Sequence, residues 1–403
     1  MGKRILILCE AIAPPAYSPR IITMVHYLRT RGWHCEIVTE MNDDIPFLSN
    51  ACKIHQMPTY RNLVADKLLG WKEKKLARYC IDHVDVSSFD LILCASYYYF
   101  PLQAAYRLAK RFNRPLVVDL RDIAEQWGGL DYYTRSLTGI DWIDNIAKRL
   151  YTRINMRQRN RVLRYAKAVT TVSVWHRDML SAYNANTRLI YNGYDQYLFS
   201  PLAVKSTTFD ISFIGKYYAH YQHCPQFLME AVRQLVAEGK VSKKDVRIKF
   251  YTNKLGQKSF AQLATTYGVA KLVSVYDYIP RDQVVATMHK SSILMVMTLS
   301  HHKYNTHGMM GTKFYEILGI EKPCLCLNSD EECLAQAISD THAGLAATNV
   351  EEVKAFVLEK YQEWKANGFT HQEVVNKEQF TRQRQTEQFE ELLLNSNSVQ
   401  ERQ

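Results

Sequence analysis

The stretch Gly311-Thr312-Lys313-Phe314-Tyr315-Glu316-Ile317-Leu318-Gly319-Ile320-Glu321-Lys322-Pro323 runs directly into the apolar segment Cys324-Leu325-Cys326-Leu327. Phe314, Ile317 and Leu318 fall at helical spacing, Thr312 is placed to cap the helix, Gly319 to end it and Pro323 to open a strand. The stretch therefore reads as loop, short helix and strand. Lys313 and Glu316 stand three residues apart on the first turn, so both side chains can face one side near the positive end of the helix dipole. A cation and a carboxylate there suit a phosphate and a sugar hydroxyl. The plainer alternative is a solvated charge pair on an exposed helix face.

The segments upstream repeat the strand and helix alternation of a doubly wound sheet. Residues 209–214 form an apolar strand running into Gly215-Lys216, and a helix over 225–238 follows. Glycine lets a phosphate approach the backbone, and lysine supplies charge where a departing diphosphate gains it. Residues 247–251, 272–275 and 293–299 read as strands and 281–289 as a helix. The loop His301-His302-Lys303-Tyr304-Asn305-Thr306-His307 carries three histidines, but no carboxylate joins them locally, so hydrogen bonding is favoured over a metal. No Asp-x-Asp pair occurs to hold a nucleotide-bound metal. Neither metal nor resident cofactor is expected.

The first half begins with a strand over 4–9, a helix over 21–31 ending at Gly32, and a strand over 35–39. Loops at the carboxyl ends of such strands carry ligand contacts, which points to residues 11–20 and to Arg20 as the polar contact. A strand over 90–94 and a helix over 102–112 lead to the strand 116–120, which ends in Asp119-Leu120-Arg121-Asp122. Asp122 can orient or deprotonate a hydroxyl; equally, Arg121 and Asp122 can brace their loop. The basic helix over 148–167 includes Arg149, Arg153, Arg157, Arg161 and Arg164, yet no nucleic-acid recognition signature accompanies it, and no nucleic-acid partner is expected. Residues 60–80 interleave Leu63, Leu68, Trp71 and Leu76 with Lys67, Lys72, Lys74 and Lys75. They read either as an ordinary basic surface helix or as an amphipathic helix lying on an anionic membrane surface.

With 403 residues, 47% of them hydrophobic, the chain can bury about two cores. No apolar run reaches the roughly 18 residues of a membrane span, and the start leads into a strand rather than a signal peptide. A cytoplasmic protein is expected, peripheral on the inner face of the membrane if its basic helix docks there. Nine scattered cysteines without a Cys-x-x-Cys pair point to reduced thiols. The formal charge of +11 favours anionic partners without choosing among them. The absence of a Gly-x-Gly-x-x-Gly or Walker loop argues against a dinucleotide oxidoreductase or a P-loop enzyme.

Gly215-Lys216, the turn Asn192-Gly193-Tyr194-Asp195 and the stretch from Gly311 to Glu316, in this order, resemble the retaining nucleotide-sugar glycosyltransferases of family four. The resemblance covers nearly the whole chain. It implies the GT-B architecture, an α/β fold of two Rossmann-like doubly wound domains facing a central cleft. Residues 1–198 would be the acceptor domain and 199–371 the donor domain, with a carboxyl-terminal helix over 372–396 packing back onto the first. Gly215, Lys216, Gly311, Thr312, Lys313 and Glu316 would bind the nucleotide-sugar donor, Glu316 through the ribose. Lys216 and Lys313 would stabilise the leaving diphosphate and, with Asp122, carry catalysis. Arg20, Arg121 and Asp122 would face a glycan or lipid-linked acceptor, and Tyr276-Asp277-Tyr278 would lie near the base. The implied activity is hexosyl transfer with retention, in surface polysaccharide or glycoconjugate synthesis.

Three positions depart from the family pattern. Gly308 stands where a first glutamate is common, Pro14, Pro15 and Pro19 where a glycine pair is common, and His220, Gln222 or His223 where a further lysine is common. Gly308 keeps two rivals open: a nucleotide-sugar epimerase on the same fold, and a non-catalytic sugar-nucleotide-binding protein.

Overall fold

The strand Arg4–Cys9 (β1) is buried at every residue but its first. A near-continuous apolar run of this kind belongs to a strand covered on both faces, as in a parallel sheet. A computed structural model describes residues 3–10, 20–40, 52–58, 70–127, 138–217, 225–298, 306–329 and 331–397. In it β1 pairs in parallel with His34–Glu40 (β2) and Leu91–Ser96 (β4). Lys53–Met57 (β3), Leu116–Leu120 (β5), Ala168–Thr171 (β6) and Thr187–Leu189 (β7) complete a parallel sheet in the order β3-β2-β1-β4-β5-β6-β7.

Side chains alternate across this sheet, so β1 feeds two cores. Ile5, Ile7 and Cys9 pack with Ile21, Met24 and Val25 of Arg20–Thr30 (α1). Leu6 and Leu8 pack on the other face with residues of Trp71–His83 (α2) and Leu102–Arg111 (α3). Asp141–Tyr165 (α4) lies beside α3, and Val174–Ser181 (α5) follows β6.

The second sheet is built from Phe209–Ile214 (β8), Val246–Tyr251 (β9), Val273–Tyr276 (β10), Ile293–Met297 (β11), Cys324–Leu327 (β12) and Gly344–Ala346 (β13). Its order is β10-β9-β8-β11-β12-β13, again parallel. Its helices are Gln226–Ala237 (α6), Lys254–Thr266 (α7), Val284–Lys290 (α8), Thr312–Ile320 (α9), Cys333–Asp340 (α10) and Val350–Asn367 (α11). Phe209, Phe213, Phe250 and Phe260 anchor the core, the last two stacked at 4.1 Å.

The chain divides into two compact units, Met1–Asn192 with Arg382–Gln403, and Gly193–Thr381. Arg382–Asn397 (α12) joins the first unit: Phe389 and Leu393 enter the core beside Ile5 and Ile7. Glu390 accepts from Trp33 Nε1 at 3.0 Å, Arg31 Nε at 3.0 Å and Lys3 Nζ at 3.3 Å. The sequence places the divisions at 198/199 and 371/372; the structure moves both. Tyr194 N donates to Phe380 O at 3.1 Å, and Phe380 packs on Phe314 and Tyr315, so residues 193–198 and 372–381 stay with the second unit.

Of the basic stretch 60–80, the described part is a surface helix with Lys74, Lys75 and Arg78 exposed. Residues 59–69 lie outside the described residues; α2 starts at Trp71 and turns Leu76, Ala77 and Cys80 into the core. Lys72 pairs with Glu40 at 2.7 Å and sits 4.0 Å over the Phe100 ring. Leu76 and Cys80 are thus taken up by the core, while Trp71 stays 44% exposed. Among the described residues no helix is long and apolar enough to cross a membrane.

Candidate functional site

In the second sheet the chain runs from β8 outward to β9 and β10, then returns to β11 and continues outward through β12 and β13. The direction reverses between β8 and β11, and ligands of open α/β sheets bind at the carboxyl ends of strands at such a switch point. The segments that leave β8 and β11 there are the two singled out from the sequence: Gly215-Lys216, and the loop that enters α9.

Lys216 is exposed and follows Gly215, whose amide donates to Tyr251 O at 3.1 Å. Asn253, just before α7, fixes the next residue from both sides: its Oδ1 accepts from Tyr217 N at 3.1 Å and its Nδ2 donates to Tyr217 O at 3.2 Å. The lysine therefore projects from a backbone held at the end of a central strand.

Gly311, not Thr312, is the N-cap of α9, and it offers no side chain to the first-turn amides. Thr312 is the first helical residue and is exposed. An uncapped helix start presents N–H donors and a positive dipole end, which suit an anion. One turn in, Lys313 Nζ lies 2.9 Å from Glu316 Oε2. The lysine side chain is 29% exposed and the glutamate 6%, so this is a carboxylate embedded in the unit with its counterion at the surface. Gly319 does not end the helix; α9 runs on to Ile320, and Glu321 takes the left-handed cap conformation. A Cβ at Gly319 would stand 2.6 Å from Tyr194 Cδ2 and 2.8 Å from Phe199 O. This glycine lets the segment after the Asn192-Gly193 turn pack directly on the helix that carries Lys313 and Glu316.

Residues 301–305 lie outside the described residues, but His307 has a carboxylate that local spacing does not reveal. Its Nδ1 is 2.6 Å from Glu332 Oε1, while Glu332 Oε2 accepts from Gly308 N at 3.2 Å. Gly308 has φ +65°, a conformation glycine adopts freely. A carboxylate thus reaches position 308 from Glu332, 24 residues away. Tyr276 ends β10, two strands from the switch point, and Asp277 and Tyr278 follow it; Tyr276 stacks on Tyr251 at 4.9 Å and Asp277 pairs with Lys254 at 2.8 Å.

In the first sheet the switch point lies between β1 and β4. The loop after β1, residues 11–19 with its prolines, lies outside the described residues. Arg20 is placed otherwise than as a loop contact. It opens α1, is 4% exposed, and its Nε and Nη2 hold the two oxygens of buried Asp119 at 3.1 and 3.0 Å. Its Nη1 donates to Tyr191 O at 2.6 Å. These bonds make Arg20 a brace between α1, β5 and the segment after β7.

Arg121 and Asp122 leave β5, next to the switch-point strand β4. Their amides donate to Ser96 O and Tyr97 O at 3.1 and 3.0 Å, and the Arg121 guanidinium lies 3.9 Å over the Tyr97 ring. Burial pushes the Asp122 carboxyl above its ordinary pKa, with Arg121 and a hydrogen bond from Gln126 pulling it down. The residues after β6, the strand paired with β5, contain a histidine the sequence did not single out. His176 is 1% exposed, and neither ring nitrogen has a hydrogen-bond partner among the described residues. Burial lowers its pKa to about 4, against the opposing charge of Glu125, so the ring is neutral at pH 7. Thr171 Oγ1 and Gln126 Oε1 are likewise buried and unpartnered there. Only packing reveals such groups.

A family model described as Glycosyltransferase Family 4 matches residues 20–196. No curated protein sequence matches the chain. Among solved structures it is similar to Anabaena HepE in complex with UDP and glucose, at 13% identity over 98% of this chain and 100% of that one, with TM-score 0.66. It is similar to sucrose-phosphate synthase from Thermosynechococcus elongatus at 12% identity over 98% and 100% of the two chains, TM-score 0.65. The lipopolysaccharide outer core galactosyltransferase WaaB in its apo form gives 11% identity over 97% and 99%, TM-score 0.58. With two parallel α/β sheets, the fold is GT-B.

Proposed function

We propose that this chain, a glycosyltransferase family 4-like enzyme of the GT-B fold, transfers a hexose from a nucleotide-sugar to a glycan or lipid-linked acceptor, with retention at the anomeric carbon. The observation that carries this reading is the Lys313–Glu316 pair on an uncapped helix start at the switch point of the second sheet. The positive dipole end of α9 and the Lys313 and Lys216 ammonium groups would meet the diphosphate, while the Glu316 carboxylate would accept from ribose hydroxyls. Stabilisation of the departing diphosphate would come from the two lysines, whose charge is preorganised and needs no metal. Asp122, at the end of β5 and with its pKa raised by burial, would handle the acceptor hydroxyl. Glu332 supplies a carboxylate against Gly308, which supports a working site over a merely binding one. Surface polysaccharide or glycoconjugate synthesis is the setting such a transfer fits.

A thermal-shift screen of nucleotides and nucleotide-sugars tests the donor half. A ligand at a hundred times its Kd stabilises the chain by about 2.7 kcal/mol. The UDP and glucose held by HepE make UDP-glucose the first donor to try. Stabilisation by a nucleotide-sugar, followed by acceptor-dependent sugar transfer, is the expected result. Turnover of the donor to an epimer without any acceptor, or no stabilisation by any nucleotide, would overturn it.

A further inference from the structure

Trp142, Ile146, Leu150 and Ile154 of α4 are 66%, 60%, 56% and 40% exposed. At a spacing of four residues they advance by about 40° per step and form one stripe along the outer side of the helix. Each is followed seven residues on by an arginine: Arg149, Arg153, Arg157 and Arg161. Seven residues bring the helix back to within about 20° of the same direction, so the arginines share the stripe, and all four are exposed. The inner side of α4 is occupied differently. Asp144, Thr152, Arg159, Val162 and Leu163 are buried, with Arg159 Nη1 donating to Glu125 at 2.7 Å. The side that ordinarily carries polar residues is here the apolar one.

A second feature lies on the neighbouring helices. α3 packs between α2 and α4. Between α2 and α3 is a depression of about 510 Å³ rimmed by Lys74, Arg78, Arg107, Lys110 and Arg111, with Ala77 and Leu108 among its apolar lining. All five cations are exposed, and Arg78 is held by Asp82 at 2.8 Å.

We infer that the α4 stripe and the α2–α3 depression are a docking face for an anionic phospholipid bilayer. Trp142, Ile146, Leu150 and Ile154 would enter the headgroup and acyl boundary, the arginines snorkelling beside them, and the rim cations would hold headgroup phosphates. A nucleic acid would use the cations but gain nothing from four exposed apolar side chains. A second copy of the chain on the same face would set arginine against arginine. The inference stands on this face alone; the sugar-transfer reading adds only the reason a lipid-linked acceptor would be met there.

Flotation of the full chain with vesicles of phosphatidylcholine alone, or mixed with phosphatidylglycerol, tests it without donor or acceptor. The chain should float with the anionic vesicles and stay behind with the neutral ones, and salt should weaken the binding. Replacing Trp142, Ile146 and Leu150 by Ser should lower partitioning at least about tenfold. Arg149→Glu with Arg153→Glu, and separately Lys110→Glu with Arg111→Glu, should lower it by at least about fivefold for each charge lost, the equivalent of ~1 kcal/mol. Circular dichroism melts check that each variant is folded. Equal binding to both vesicle types, stripe variants that float like the parent, or a stripe variant that only converts an associated chain to a monomer would overturn the inference. Because transfer to a soluble acceptor is read separately, a failure here leaves the enzymatic reading intact and recognisable as such.

Discussion

Replacing Glu316 by Gln and Lys313 by Met separates the donor site from a merely structural ion pair. Glu316 is 6% exposed at its side chain and Lys313 29%, at 2.9 Å. Glu316→Gln keeps the shape and lets the amide oxygen accept from Lys313, whose ammonium can hydrate at the surface, so the fold should lose less than about 1 kcal/mol. Lys313→Met leaves an embedded carboxylate without its counterion, a cost of about 1–3 kcal/mol. The ligand effects run the other way. Ribose hydrogen bonds to a carboxylate exist in ground and transition states alike, so Glu316→Gln should weaken donor binding by about 1.5–3 kcal/mol, or roughly ten- to hundredfold in Kd. In the proposed site Lys313 would meet charge that grows as the diphosphate leaves. Its loss should reduce turnover by about 2.7–4 kcal/mol, roughly a hundred- to thousandfold, and exceed its effect on Kd. Thermal melts, calorimetric titration with UDP and single-turnover rates with the donor give the three quantities. If Lys313→Met is destabilised as stated while Kd and rate stay within about threefold in both variants, the pair is structural and the donor site lies elsewhere.

Three further outcomes follow from the geometry. Asp122→Asn should lower turnover with donor Kd unchanged; because burial raises the Asp122 pKa, parental activity should be lost as pH falls through a value above that of an ordinary aspartate, and a pH–rate profile without that acid limb excludes the role. Gly319→Ala gains about 1 kcal/mol of helix propensity, but its Cβ meets Tyr194 and the Phe199 carbonyl, so overpacking of about 1–3 kcal/mol should displace α9 and weaken donor binding; an unchanged melting temperature and Kd contradict this. His176 has a folded pKa of about 4 against 6.5 unfolded. Above pH 6.5 the ring is neutral in both states, whereas between 6.5 and about 4 only the unfolded chain takes the proton, and stability falls by roughly 3 kcal/mol in total. His176→Phe should flatten that acid slope in urea titrations at pH 7 and 4.5; an equal slope in both proteins refutes it.

The second unit was more legible in the sequence than the first, for a reason of distance along the chain. Lys313 and Glu316 are three residues apart on one helix, and β5, β8 and β12 are short apolar runs whose limits the sequence marks residue for residue. The edge strands β3 and β13 escape because they are short and only partly buried, without the continuous apolar run of a central strand. Arg20 looked like a loop contact because its partner, Asp119, lies 99 residues away and Tyr191 171 away; nothing local tells a brace from a ligand contact. Glu332 and His176 are hidden by the same rule, one by a long-range pairing and the other by burial without a partner.

Helix α4 shows the limit most sharply. Its arginines advertise phosphate, and apolar residues spaced by four advertise a core-facing side. The structure inverts the second inference: Arg159, Thr152 and Asp144 face inward, satisfied by Glu125 and by the backbone before the helix, while Trp142 and Ile146 face out. Periodicity identifies which residues share a face, but only the tertiary partners decide which face is buried. A stripe of this kind, left outside by a charged inner side, is free to serve a surface that the chain itself does not supply.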